Sequence, residues 1–154
     1  IASETYPSVS APIQYAAIKA FTEDHTKYLD DSRTILKKIA EYINEELSSV
    51  GVRCNFAQGG FYMICDFSEV IKKTNEITDG KSLSNKILND IGFAMLPGSD
   101  FGLDNERLLS RIAFVDFDGE QALKLIDNNN LVLSLLCPKI IIGINKLKKW
   151  VKKN

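Results

Sequence analysis

The chain has 154 residues, 45% hydrophobic and 25% charged, which are the proportions of an ordinary globular protein with enough length to bury one core. Lys and Arg number 19 against 20 Asp and Glu, and the resulting net charge of −1 excludes a broad electrostatic grip on nucleic acid or an anionic membrane. No apolar run approaches the roughly 18 residues of a membrane span, so neither nucleic acid nor membrane is an expected partner.

Taken in chain order, Tyr6-Pro-Ser-Val-Ser-Ala-Pro reads as extended, because a residue before proline is pushed out of the α region. Ser10 stands where an N-cap belongs, with Pro12 in the first turn of a helix carrying Ile13, Ala16, Ala17 and Ala20. Leu36, Ile39, Ile43, Leu47 and Val50 mark a longer helix closed by Gly51. Thr22 to Lys27 contains no breaker, so the two helices read as separate or continuous. After Gly51 the period changes to two. Val52 to Asn55 is a short strand, and Gly59-Gly60 marks a turn. Phe61, Met63, Cys65 and Phe67 are then expected on one strand face, with Tyr62, Ile64 and Asp66 on the other.

Lys72 to Lys81 reads as a polar loop, and Ser82 as the start of a short helix ending at Gly92. Phe93 to Leu96 is a third strand, stopped by Pro97-Gly98, and Ser110 to Phe117 a fourth. Asp118 with Gln121 forms a capping-box pattern for another helix, which Asn128 to Asn130 break. A last helix follows Pro138 with the stripe Ile140, Ile144, Leu147 and Val151. Strands grouped between helices predict an α+β (mixed α/β) fold, a small sheet of about four strands packed against helices. By region, 1–12 reads as a junction segment, 13–50 as a long helical region and 51–154 as sheet and helices. The chain opens Ile1-Ala2-Ser3-Glu4, and is expected to be a piece of a longer protein.

Few residues make a chemical case singly. Cys54, Cys65 and Cys137 fit no zinc or redox spacing and are expected to be reduced, which points to the cytoplasm. His25 is the only histidine, lies in a polar run, and excludes a His-based zinc site or Ser-His-Asp triad within this chain. Lys146, Lys148, Lys149, Lys152 and Lys153 complement the dipole of a last helical turn. Pro97-Gly98-Ser99-Asp100-Phe101-Gly102 reads either as a plain turn or as a backbone bent near a ligand. Arg111, inside the apolar run Leu108 to Phe114, must find a partner or face water, so it reads as an internal salt bridge, an edge-strand position or a fork for a carboxylate ligand.

Four segments occur in a telling order: Ser8-Val9-Ser10-Ala11-Pro12-Ile13-Gln14-Tyr15-Ala16-Ala17, Gly59-Gly60-Phe61-Tyr62, Pro97-Gly98-Ser99-Asp100-Phe101-Gly102 and Arg111-Ile112-Ala113-Phe114. The series resembles the C-terminal part of the class I/II aminotransferases, the fold-type I pyridoxal-phosphate enzymes typified by aspartate aminotransferase, over essentially the whole chain. The resemblance implies that Arg111 binds the substrate α-carboxylate and that Phe61 forms an apolar wall beside the substrate side chain. It also implies that Ser99 and Phe101 shape a mobile active-site entrance.

In that family the lysine that anchors pyridoxal phosphate, and the groups that bind the cofactor's ring nitrogen and phosphate, lie upstream of the first segment. The resemblance therefore implies a small domain with no catalytic, cofactor-binding or metal residue of its own, silent by itself and binding no cofactor. The parent enzyme would take amino-acid and 2-oxo-acid substrates, and would supply the large cofactor domain and a second subunit of a homodimer. Other fold-type I enzymes, lyases and synthases, share the arginine, and a free-standing carboxylate-binding α+β module is the alternative from outside enzymes.

Overall fold

A computed structural model describes residues 9–128 and 130–154. The extended opening read from Tyr6 to Ser8, and Asn129 of the asparagine breaker, lie outside the described residues. The elements are α1 (Ala11–Thr22), α2 (Thr26–Ser48), β1 (Arg53–Cys54), β2 (Tyr62–Asp66), α3 (Gly80–Ile91) and β3 (Leu96–Pro97). A 3₁₀ turn (Gly98–Phe101), β4 (Leu109–Ala113), α4 (Gly119–Asp127), α5 (Leu133–Leu136) and α6 (Pro138–Lys153) follow among the described residues. None of the described helices is long and apolar enough to cross a membrane.

The expected fold class is borne out. The four strands pair antiparallel throughout in the order β1-β2-β4-β3, so the two longest strands lie at the centre. Alternation along them separates two faces. Met63, Cys65, Phe67, Ser110, Ile112 and Phe114 are buried on the face that the helices cover. Ile39, Ile43 and Leu47 of α2 and Ile140, Ile144, Leu147 and Val151 of α6 join them in one core, each large side chain contributing about 2 kcal/mol by leaving water. Tyr62, Ile64, Arg111 and Ala113 lie on the other, less covered face.

Several boundaries differ from the expectations, each for a local reason. α1 and α2 are separate: Glu23 is extended, and the Asp24 carboxylate accepts the Thr26 N–H at 2.9 Å, an alternative to continuing the helical ladder. Ser10 occupies the N-cap of α1 without a side-chain cap bond, and α1 buries none of its residues. α3 begins earlier than expected. Asp79, not Ser82, is its N-cap, and the two side chains cap each other's backbone N–H groups reciprocally.

The third strand is Leu96–Pro97 instead of Phe93 to Leu96, and its proline is tolerated because β3 is a sheet edge. β4 ends at Ala113, well short of Phe117. The short helix α5 carried no clear sequence signal. Phe61 does not share the core face with Met63 and Cys65. Gly60, at φ +68°, turns the chain just before β2 and leaves the Phe61 ring outside.

Candidate carboxylate site

Arg111 sits in the middle of the less covered sheet face, opposite Ile64 of β2 and Leu96 of β3. Both neighbouring strands present aliphatic side chains, so neither supplies a counter-charge. Tyr62, two residues before Ile64 on β2, is the diagonal cross-strand neighbour, close enough for an aromatic ring to reach the arginine. Its ring centroid lies 4.0 Å from the guanidinium carbon. The Phe101 ring lies 3.9 Å from the same carbon. Phe61 stacks on Tyr62 in turn, with centroids 4.4 Å apart and planes tilted by 51°.

A separate ion-pair group stands at the end of the same sheet. Asp66, itself buried, pairs with Arg107 and with Arg53 at 3.5 Å, and accepts the Ser68 N–H at 3.0 Å. Burial alone would raise the Asp66 carboxyl; the hydrogen bonds from Ser68 and the Arg107 guanidinium outweigh it and hold the group below the usual carboxylate range. Those arginines have their carboxylate. None of the ion pairs among the described residues includes Arg111. Its Nε is the single buried side-chain nitrogen or oxygen, among the described residues, without a hydrogen-bond partner. The internal salt bridge that the sequence left open is therefore not what this arginine makes.

The geometry decides what Arg111 can do. Aromatic rings stacked on a guanidinium cover its faces and attract its charge, but they leave the in-plane N–H donors unpaired. A planar fork held in this way matches an oxygen pair arriving in its own plane, which is the bidentate carboxylate arrangement. Tyr62, Phe101 and Phe61 are 42%, 41% and 38% exposed. The rings therefore form an apolar rim that remains open to solvent.

The loop from Pro97 to Gly102 is built to bring Phe101 there. Its glycines have backbone duties: a Cβ at Gly98 would stand 2.8 Å from the Leu109 Cβ, and Gly102 adopts φ +74° to end the 3₁₀ turn. The carbonyl of half-buried Ser99 accepts the Gly102 N–H at 3.1 Å. Beneath the strand, on the core face, the Ser110 and Ser84 hydroxyls bond at 3.1 Å and tie β4 to α3.

Of the expected site residues, the structure thus brings Arg111 and Phe101 into direct contact, links Phe61 through Tyr62, and places Ser99 inside the turn. Tyr62 was missed. Its signal was present in the strand alternation, which puts it on the same face as Ile64, the residue that pairs with Arg111.

The family described as Aminotransferase class I and II matches residues 1–127. An aspartate aminotransferase of Sulfolobus acidocaldarius is 31% identical over 116 residues, covering 74% of this chain and 28% of that enzyme. A 1-aminocyclopropane-1-carboxylate synthase of Oryza sativa is 29% identical over 96 residues, covering 61% of this chain and 18% of the synthase. The solved aspartate aminotransferase of Thermotoga maritima shares the fold with TM-score 0.63 at 16% identity, over 97% of this chain and 31% of that one. The chain therefore spans under a third of the length of these relatives.

Proposed function

Because this chain belongs to the class I and II aminotransferase family, we propose that it is the small, substrate-carboxylate-binding domain of a transaminase that moves an amino group between an amino acid and a 2-oxo acid. The observation that carries the proposal is the unpaired guanidinium of Arg111 between Tyr62 and Phe101. Amino-acid and 2-oxo-acid substrates both carry the α-carboxylate, so one fork serves both halves of the exchange. Holding the carboxylate in the guanidinium plane also fixes the direction of the substrate Cα–H bond, which is where orientation contributes to rate. Phe61 and the Phe101 loop, with Ser99 in its turn, would border the side-chain end of the substrate.

Pyridoxal phosphate, which the family implies, supplies an electron sink for the substrate carbanion when bound. The described residues do not fit it. A lysine that attaches to that cofactor needs a desolvated amine with a depressed pKa. Here no lysine is buried, and carboxylate hydrogen bonds push Lys27 and Lys86 up instead. The anchoring groups would belong to a large domain outside this chain, and to a homodimeric cytoplasmic parent in which this chain by itself is silent. A stoichiometric adduct of pyridoxal phosphate on one lysine of the isolated chain would contradict that assignment.

The direct test is a titration with pyruvate followed by the Arg111 side-chain NMR resonances. Pyruvate should shift the Nε–H signal and methyl pyruvate, which lacks the charged carboxylate, should not; equal responses, or none, refute the clamp. In the enzyme containing this domain, Arg111→Ala should weaken both amino-acid and oxo-acid binding by about 2–5 kcal/mol, the usual loss on truncating a buried charge pair. A second chemistry has specific support. The match to a 1-aminocyclopropane-1-carboxylate synthase fits a synthase or lyase that uses the same carboxylate fork, and product analysis of the full enzyme separates it from transamination.

A further inference from the structure

Cys54 and Cys65 face each other across β1 and β2 as directly paired residues. The Asn55 N–H donates to the Ile64 carbonyl at 3.0 Å, so Asn55 and Ile64 form a hydrogen-bonded pair. Alternation along an antiparallel ladder then makes Cys54 and Cys65 a non-hydrogen-bonded pair, with Cα atoms about 4.5 Å apart and side chains close together. That spacing lies inside the disulfide range of about 4.4–6.8 Å. The two sulfurs are 2.8 Å apart as thiols, and a bond between them needs about 2.05 Å. Cys65 is fully buried, whereas Cys54 is half-buried on the strand at the sheet's edge, where a reagent can reach it. Cys137 is a buried free thiol on the connection from α5 to α6, and is not paired with either.

We propose that Cys54 and Cys65 are a thiol pair that a low-molecular-weight disulfide oxidises to a cross-strand disulfide, stapling the hairpin that presents Phe61 and Tyr62 to Arg111. The Cys54 thiolate attacks one sulfur of the reagent disulfide, breaking its S–S bond and releasing one thiol. Cys65 then attacks the Cys54 sulfur of the mixed disulfide and gives its proton to the departing second thiol. The protein loses two hydrogens and the reagent is reduced to two thiols. Cys65, out of a reagent's reach but 2.8 Å from the Cys54 sulfur, is placed for the resolving step; the hydrogen bond with Cys54, and then burial, push its thiol up, so the exchange should quicken as pH rises. Both sulfurs lie on the core side of the sheet, away from Arg111, so the staple constrains residues 55–64 without occupying the carboxylate site.

The protein, first reduced, is equilibrated in mixtures of reduced and oxidised glutathione, quenched by alkylation and mapped by mass spectrometry. The expected product has lost two hydrogens, yields chymotryptic peptides joined through Cys54 and Cys65, and carries the alkyl group on Cys137 alone. Closing so short a loop should raise the thermal midpoint by about 5–10 °C. Cys137→Ser should leave the cross-link in place and Cys54→Ser should abolish it. The peptide map of the unsubstituted protein decides the matter even where a serine variant folds poorly. Arrest at a stable glutathione adduct on Cys54, a bond from Cys54 to Cys137 or to another molecule, or alkylation of all three cysteines throughout the series overturns the proposal.

Discussion

Replacing Phe101 with leucine keeps an apolar side chain on the loop but removes the π face from one side of the Arg111 guanidinium. The ring lies 3.9 Å from the guanidinium carbon, well within the distance at which such a contact is felt. At 41% exposure it is neither fully hydrated nor dry, so the loss falls between the surface and desolvated limits, at about 1 kcal/mol. Tyr62 remains against the guanidinium at 4.0 Å and keeps the fork partly ordered. Because the contact is already made without a ligand, only its ordering effect reaches binding, and carboxylate affinity should weaken by at most roughly fivefold. The assay is the pyruvate titration, run on the unsubstituted chain, Phe101→Leu, Tyr62→Leu and the double variant. Because the two rings share one partner, the single losses should not add, and the double variant should depart from their sum by about 0.5 kcal/mol or more. An unchanged pyruvate affinity in both single variants would refute the idea that the two rings preorganise Arg111.

Three further outcomes bear on the scaffold. Gly80→Ala would put a Cβ 2.5 Å from the Leu109 carbonyl oxygen on β4; it should cost about 1–3 kcal/mol in denaturant unfolding, the usual range for overpacking. Asp66→Asn should destabilise by about 1–3 kcal/mol at pH 7, the scale of hydrogen bonds to charged groups. The folded-state pKa of Asp66 is depressed, so its contribution is fully present above the unfolded value, about 3.9, and fades as pH falls through the folded one. The gap between wild type and Asp66→Asn should therefore close in acid, and a constant gap across a pH series of melts would contradict the linkage. Asp79→Ala removes one half of the reciprocal cap on α3 and should cost about 1 kcal/mol, whereas Ser10→Ala, which loses no side-chain cap bond, should leave the thermal midpoint nearly unchanged.

Elements with a strong local period were legible without coordinates. The stripe Ile140, Ile144, Leu147 and Val151 is buried as read, Gly92 closes α3 in the left-handed conformation, and the Asp118 side chain accepts the Gln121 N–H. Such features depend on residues three or four apart, and their physics is contained in a short window. The misplaced ones depend on choices between competing local bonds or on distant neighbours. Asp24 draws the Thr26 N–H out of a helix that no glycine or proline interrupts. Ser82 looked like a cap until Asp79 claimed that position. Pro97 is acceptable in a strand only because nothing pairs beyond it.

The candidate site divides in the same way. The residues themselves determined that an arginine in an apolar strand needs a partner or access to water, because a buried charge is too costly to leave unpaired. The same sequence carried the family resemblance, which the match over residues 1–127 then established. Only the tertiary structure decided which arginine is committed to the protein and which is available. Asp66 is near enough to satisfy Arg53 and Arg107, while Arg111 has aliphatic neighbours on both strands and two aromatic rings against its guanidinium. Tyr62 and Phe101 stand far from Arg111 along the chain, and strand pairing and a 3₁₀ turn bring them to it. No local periodicity encodes that meeting, because it exists only once the sheet has chosen its register.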